Sequence, residues 1–300
     1  MVAAVDGSLV IAGGTTWKDG VKLFPDGVHQ LQPRAKKWSY TTSLRTGRAY
    51  AASGVVNGKL WAIGGNDTNG DLKSFVGIDA ALPAINTGDL TEPLVYAAGA
   101  ASTGGLYVIG GSRSGADLST GIADVQFFST TTHKLEKISA LPDGPRVLAT
   151  AVVLGDELFI FGGAVVDKQG ATVRNLATCW AMNLASRTWR AIEHLPTPRR
   201  GPVAARLDDR FIAVTGGFGK ATTIAPADGF LDDLLIYDTV ADRFIPTNKA
   251  PYAALLPGFV NDGKYLHYLG GEDRQKGRSD AHFRIVVRGL IDAVTTQSRK

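Results

Sequence analysis

The sequence has little of what covalently stapled or metal-built folds depend on. Its one cysteine, Cys179, excludes a disulfide framework and a cysteine-based zinc site within the chain. Its five histidines, His29, His133, His194, His267 and His282, form no H-x-x-x-H or comparable ligand pair. His267 sits in a strand-like run and reads as a packing or hydrogen-bonding residue. No apolar stretch is long enough for a transmembrane helix, and Met1 leads straight into the strand-like Val2-Ala-Ala-Val5 without a signal-peptide pattern. There is no G-x-S-x-G, no Walker loop, and no G-x-G-x-x-G leading from a strand into a helix. Charge is also modest. A net +4 with no lysine or arginine run does not read as a nucleic-acid footprint, and neither nucleic acid nor membrane is expected as a partner.

What is abundant is glycine, 36 residues of 300, and it is placed with a period. Gly-Gly pairs that each close an apolar run stand at 13–14, 64–65, 110–111, 162–163, 216–217 and 270–271. The intervals are 51, 46, 52, 54 and 54 residues, the period of a kelch blade. Each run follows a tight-turn signal: Asp6-Gly7, Asn57-Gly58, Gly104-Gly105, Gly155-Asp156, Asp208-Asp209 or Asp262-Gly263. Asn, Asp and Gly tolerate positive φ, so these read as two-residue hairpins. A strand of small residues precedes each turn, as in Ala51–Val56, and suits a crowded centre. A third strand follows each variable loop, and an outer fourth often carries an aromatic, as at Trp38, Trp189 and Phe244. Blade two lacks one near Ile85, and blade three has Leu135 there.

The expected fold is all-β: a six-bladed kelch-type β-propeller with four-stranded antiparallel blades. Residues 1–300 are expected to form one such domain, with blades at about 1–46, 47–92, 93–143, 144–197, 198–249 and 250–300. The first blade starts at its innermost strand. The last must therefore take its fourth strand from residues 289–297 or from an upstream segment.

The repeat also predicts which residues share a face. The start of strand one and the end of strand two converge on one mouth of the central channel. Three lead-in segments carry arginine there: Gly47-Arg48-Ala-Tyr50, Gly144-Pro-Arg146 and Pro198-Arg199-Arg200. After the sixth Gly-Gly stands Glu272, then Asp273-Arg274-Gln-Lys276-Gly-Arg278-Ser-Asp280. One reading is an arginine-rich pocket for a carboxylate ligand, with one carboxylate for proton transfer. The other is that the arginines tie adjacent blades together and that Glu272 and Arg278 form a loop ion pair. Long loops on this face, Ala164 to Ala177 and Phe218 to Asp233, have the length of lids or binding loops. Trp17 reads equally as an aromatic wall for a sugar ring or as a packing residue. A copper radical site would need a cysteine crosslinked to tyrosine together with histidine ligands. Cys179 has no such neighbours.

The chain resembles the kelch-type N-acetylneuraminate epimerases, or sialic acid mutarotases. The resemblance is carried by Gly271-Glu272-Asp-Arg-Gln-Lys-Gly-Arg278-Ser-Asp280, by Gly47-Arg48-Ala-Tyr50, by Gly144-Pro-Arg146 with Ala149-Thr150, and by Leu9-Val-Ile-Ala-Gly-Gly14. It covers all six blades in shifted order, as in a cyclically permuted branch of that family. It implies interconversion of the α and β anomers of an acidic sugar, with no metal or other cofactor. Glu272 would be the acid/base, and Arg278 its partner or the carboxylate ligand. Arg48 and Arg146 would line the same pocket, to which the placement of residues on this face adds Arg199 and Trp17 as substrate-binding candidates. The implied partner is a small acidic sugar, and a monomer is expected. Family members are usually exported, which implies a periplasmic or secreted protein; without a leader the cytoplasm is the alternative. The family usually has Pro-Gly within the Glu-to-Arg loop, where this chain has Gln275-Lys276 and its glycine at Gly277. A non-catalytic kelch module binding a protein or a glycan is the competing function.

Overall fold

The structure is a computed structural model that describes residues 1–79, 85–167, 173–221 and 227–298. It is the expected six-bladed β-propeller of antiparallel blades. Two compact units carry the blades: Met1–Leu148 with Val165–Val173, and Ala149–Ala164 with Arg174–Lys300.

The first unit holds three four-stranded blades. Blade one runs Val2–Val5, Ser8–Ala12, Gly27–Leu31, Ser39–Ser43. Blade two runs Ala52–Val56, Lys59–Ile63, Ser74–Asp79, Ile85–Asp89, and blade three Ala98–Ser102, Gly105–Ile109, Asp124–Ser129, Leu135–Ala140. Asp6-Gly7 and Asn57-Gly58 have positive φ at both residues, the type I′ geometry their chemistry predicts. Trp61, Phe75 and Phe128 fill the space between blades two and three, with Trp61 and Phe75 at 5.7 and 4.8 Å from Phe128. The side chain of Ile85, where an outer aromatic is lacking in the sequence, lies outside the described residues.

The second unit holds blade four (Thr150–Leu154, Glu157–Phe161, Cys179–Asn183, Trp189–Ile192) and blade five (Val203–Arg206, Phe211–Thr215, Asp233–Asp238, Arg243–Lys249). Blade six is three-stranded among the described residues: Gly258–Asn261, Tyr265–Leu269, His282–Val286. Residues 289–297, one candidate for its fourth strand, lie instead in the helix Val287–Ser298. The reason is periodicity. Val287, Leu290 and Val294 recur at helical spacing and are buried against Ala205, Leu207, Phe211 and Ile245 of blade five. Between blades four and five, Phe161, Tyr237 and Phe244 pack as an aromatic cluster with centroids 5.1–6.0 Å apart.

The Gly-Gly pair is the device that joins successive blades. The N–H of the second glycine in the first five pairs donates to a carbonyl in the lead-in loop of the next blade: Gly14 to Arg48 at 2.9 Å, Gly65 to Leu94 at 2.7 Å, and Gly111 to Arg146, Gly163 to Arg199 and Gly217 to Ala254 at 2.8 Å. The first glycine must be small for the same contact. At Gly110, φ is +61°, and a Cβ would sit 2.2 Å from the Arg146 carbonyl oxygen. Two residues after each accepting carbonyl, the chain takes a left-handed turn at Tyr50, Tyr96, Leu148, Gly201 and Leu256. Backbone bonds join these turns in sequence, Tyr96 to Tyr50 (3.0 Å) and Leu148 to Tyr96 (2.9 Å) in the first unit, and Leu256 to Gly201 (3.1 Å) in the second.

Arginine adds a staple to three of these joints. Arg48 donates to the Gly64 carbonyl, to the Ser74 carbonyl at 2.9 Å and to Ser74 Oγ at 2.7 Å. Arg199 makes a bidentate pair with Asp233 at 2.5 and 2.6 Å and reaches the Gly216 and Thr197 carbonyls. Arg146 pairs with Asp143 at 2.6 Å. In Arg48 and Arg199 the main-chain carbonyl holds the preceding blade while the guanidinium closes the residue's own blade. Burial pushes Arg48 down to about 10, and Asp67 partly opposes that, so it stays charged at neutral pH.

Two outcomes are expected in urea unfolding. Gly110→Ala, which meets a backbone oxygen as well as positive φ, loses about 3 kcal/mol. Gly104→Ala, at φ +75° with nothing within 4 Å of its Cβ, loses about 1 kcal/mol; equal losses would contradict the joint. Arg199→Ala costs about 3 kcal/mol, the lower end for breaking a buried pair, because Asp233 is 36% exposed. An unchanged midpoint would contradict the staple.

Candidate functional site

After four of the six Gly-Gly pairs the next residue forms a bridge with the lead-in loop of its own blade. Ala49 bridges Asn66 and Val95 bridges Ser112 in the first unit; Arg200 bridges Phe218 and Leu255 bridges Glu272 in the second. These bridges hold the post-glycine residues by main-chain atoms, so their side chains vary without disturbing the blade. In blade six that residue is an acid. The Glu272 backbone exchanges two 2.9 Å hydrogen bonds with Leu255, and its side chain is 22% exposed.

Arg278 returns to meet it. Its Nη1 stands 3.1 Å from Glu272 Oε2, and the side chain is 14% exposed. The loop between them is closed by Ser279 N–H on the Gly271 carbonyl and Gly277 N–H on the Arg274 carbonyl, both at 3.0 Å. Lys276, which occupies the glycine's place in the family pattern, takes the left-handed φ of +54° itself. Arg278 also donates to the Gly277 carbonyl at 2.6 Å, which fixes its guanidinium beside the carboxylate. Arg274 turns away to Asp273, at 2.8 and 2.9 Å.

Of the residues singled out from the sequence, the structure brings Glu272 and Arg278 into contact. Arg48, Arg146 and Arg199 are 5%, 1% and 0% exposed, with their guanidiniums turned to protein groups. Trp17 lies half-buried in the hairpin Thr16–Lys18 with Val21–Leu23, opposite Lys22. Arg48, Arg146 and Trp17 belong to the first unit; Arg199, Glu272 and Arg278 belong to the second. Residues 168–172 and 222–226 of the two long loops lie outside the described residues, but the flanking Asn175 and Lys220 are defined.

Arg200 was not among the expected site residues. It is half-buried, its guanidinium carbon lies 4.6 Å over the Phe218 ring, and its Nη1 donates to Asn175 Oδ1 at 3.2 Å and to the Lys220 carbonyl at 2.9 Å. Burial lowers its pKa while the Glu272 carboxylate opposes that. A signal existed in the sequence. Aligning the lead-in loops puts Arg199 at the buried position of Arg48 and puts Arg200 level with Leu255, the backbone partner of Glu272.

His267 is buried, and it hydrogen-bonds Asp262 and His282, each at 2.9 Å. That chain ties the hairpin turn of blade six to its third strand. Among the described residues no group of three or more His, Cys, Asp or Glu side chains could hold a metal ion. No helix is long and apolar enough to cross a membrane.

Comparison with known proteins gives a consistent picture. The N-acetylneuraminate epimerase of Salmonella typhi is 23% identical over 176 residues, 50% of this chain and 46% of that protein. That of Salmonella enteritidis PT4 is 24% identical over 86 residues, 28% of this chain and 22% of that protein. An F-box/kelch-repeat protein of Arabidopsis thaliana is 36% identical over 66 residues, 22% of this chain and 13% of that protein. The matched region thus spans less than half the length of each of these relatives. The solved structure of YjhT superposes with a TM-score of 0.69 at 16% identity, covering 82% of this chain and 83% of that one, and so shares the fold. Residues 84–271 match the model of the KLHDC2/KLHL20/DRC7 Kelch-repeats domain. With well over half of its length so matched, the chain belongs to the KLHDC2/KLHL20/DRC7 Kelch-repeats domain family.

Proposed function

We propose that this chain is a sugar mutarotase that interconverts the α and β anomers of N-acetylneuraminate or a related acidic sugar, with Glu272 and Arg278 as its catalytic pair. The observation that carries the reading is the Glu272–Arg278 contact of 3.1 Å, partly open to solvent, on the one post-glycine bridge position that carries an acid. The naming of relatives as N-acetylneuraminate epimerases supports it.

The chemistry asks little of the protein. Mutarotation breaks the bond between the anomeric carbon and the ring oxygen, turns the carbonyl over, and closes the ring on its other face. One carboxylate oxygen of Glu272 takes the proton of the anomeric hydroxyl as that bond breaks. The ring oxygen then receives a proton from the same carboxyl group, so no proton is gained or lost. Closure runs the steps backward, by microscopic reversibility. Arg278 holds the second carboxylate oxygen and offers hydrogen-bond donors to the oxygen on which charge develops. The buried Arg199, paired with Asp233, serves this site by keeping its blade edge fixed rather than by touching ligand.

The F-box/kelch relative favours a second reading, a binding module without catalysis. NMR of freshly dissolved α-N-acetylneuraminate separates the two. The mutarotase accelerates equilibration; folded protein that leaves the spontaneous rate unchanged sinks the enzymatic reading. Given acceleration, Glu272→Gln should lower kcat by about 10²- to 10⁴-fold, the usual yield of general acid–base catalysis. Arg278→Ala should lower kcat/KM by about 10- to 100-fold. Full activity in both variants would remove these residues from the mechanism.

A further inference from the structure

Two buried arginines close their joints in the same way, with one difference. Arg199 and Arg48 each lead into a blade, and each donates from Nη1 to the carbonyl of that blade's first glycine, Gly216 or Gly64. Each then reaches the first residue of the blade's third strand. In blade five this residue is Asp233, whose carboxylate meets Arg199 with both oxygens, at 2.5 and 2.6 Å. In blade two it is Ser74, whose carbonyl and hydroxyl accept from Arg48 at 2.9 and 2.7 Å. The acid that bears on Arg48 is Asp67, which acts through space and accepts with Oδ1 from the N–H groups of Asn69 and Gly70. Arg48 is thus a charge only 5% exposed, whose hydrogen bonds go to two carbonyls and a hydroxyl.

Arg48 and Ser74 both line a cleft of about 390 Å³ within the first unit, a volume that suits a small ligand. One wall is the segment around Arg45 and Thr46, where the chain leaves the outer strand of blade one. The other is the outer part of blade two. There the register sets Ser74 opposite Asp89 and Val76 opposite Thr87, so these side chains share one face of the sheet. Arg45 is exposed and enters no ion pair among the described residues. The acid on the lining, Asp89, stands 4.0 Å from Lys73, which answers its charge. The two arginines therefore set the sign of the cleft.

We propose that this cleft binds a small carboxylate, which takes at Arg48 the place that Asp233 takes at Arg199, with Arg45 as the second cation. The site is built from residues of the first unit and does not rest on the mutarotase reading. Arg48 keeps its structural duty, and the ligand brings the counter-charge that the chain provides for itself in blade five. Burial lowers the Arg48 pKa to about 10, and an anion in the same poorly solvated setting opposes that penalty. Ser74 suits the role. Its oxygen accepts from Arg48, and its own O–H remains a donor for a carboxylate oxygen. An aspartate there would close the joint, whereas serine leaves room beside the charge. The hydroxyls of Thr46 and Thr87 on the lining offer hydrogen bonds to the rest of the ligand.

The test titrates the protein with sodium acetate, with sodium chloride as the control, and follows arginine Nε–H and backbone amide resonances by heteronuclear NMR. In the wild type the Arg48 Nε–H and the Thr46 amide should shift saturably in acetate, with a Kd of about 1 mM, the affinity that two charged hydrogen bonds supply. Chloride should not reproduce this. Ser74→Asp should raise the Kd by more than about tenfold. It should also raise the urea midpoint in acetate-free buffer, because the new carboxylate closes the joint as Asp233 does. Arg45→Gln should raise the Kd by about tenfold. A wild type without saturable shifts overturns the proposal, and so does an equal response to chloride, which marks diffuse surface charge. Acetate binding undiminished in Ser74→Asp overturns the assignment to Arg48. If Ser74→Asp does not fold, Arg45→Glu decides, since that side chain is exposed: acetate binding at wild-type strength in that variant overturns the site.

Discussion

The hydrogen bond from the second glycine of the first five pairs to the lead-in carbonyl of the following blade is the contact on which the architecture depends. A blade on its own is a small twisted sheet with two apolar faces. It is useful only when stacked on a neighbour at a fixed offset. Side-chain packing between blades is broad and tolerant, as the shift from aromatic to aliphatic outer residues indicates. The glycine contact is neither. It demands, just before the donating glycine, a residue without Cβ in a left-handed conformation against a carbonyl of the next blade. The partner carbonyl belongs to Arg48, Leu94, Arg146, Arg199 or Ala254, so the contact ignores side-chain identity on that side.

This explains why the fold could be read from the sequence and the site only in part. Gly-Gly recurs because the joint requires it, and Asp-Gly or Asn-Gly recurs because the hairpin does. Both are local rules with few permitted residues. The C-terminal segment is different. Symmetry argued for a strand at 289–297, while the spacing of Val287, Leu290 and Val294 obeys the helical period and finds an apolar surface on blade five. A pattern inherited from the repeat competed with one written in the segment itself, and the latter prevailed with Val287, Leu290 and Val294 buried.

The arginines carry a related lesson. Arg48, Arg146 and Arg199 drew attention by recurring, and recurrence in a repeat is the mark of a structural duty. Each lies inside its blade. Glu272 and Arg278 break the repeat: an acid where other blades have Asn66, Ser112 or Phe218, and a long loop returning an arginine. Deviation from period, rather than period, is what singles out the residues to which the proposed chemistry is assigned.

The left-handed turns at Tyr50, Tyr96, Leu148, Gly201 and Leu256 have a consequence for how this molecule could change over time. Only Gly201 takes that conformation without steric penalty; each of the other four is held there at about 1 kcal/mol. Typical domains are stable by about 5–15 kcal/mol, so four such residues are a sizeable latent reserve. A lineage under thermal pressure could draw on it one glycine at a time, with no change to any blade. Each such step would erase a side chain from the rim of the lead-in loops, so thermal adaptation and the retention of those side chains pull this molecule in opposite directions.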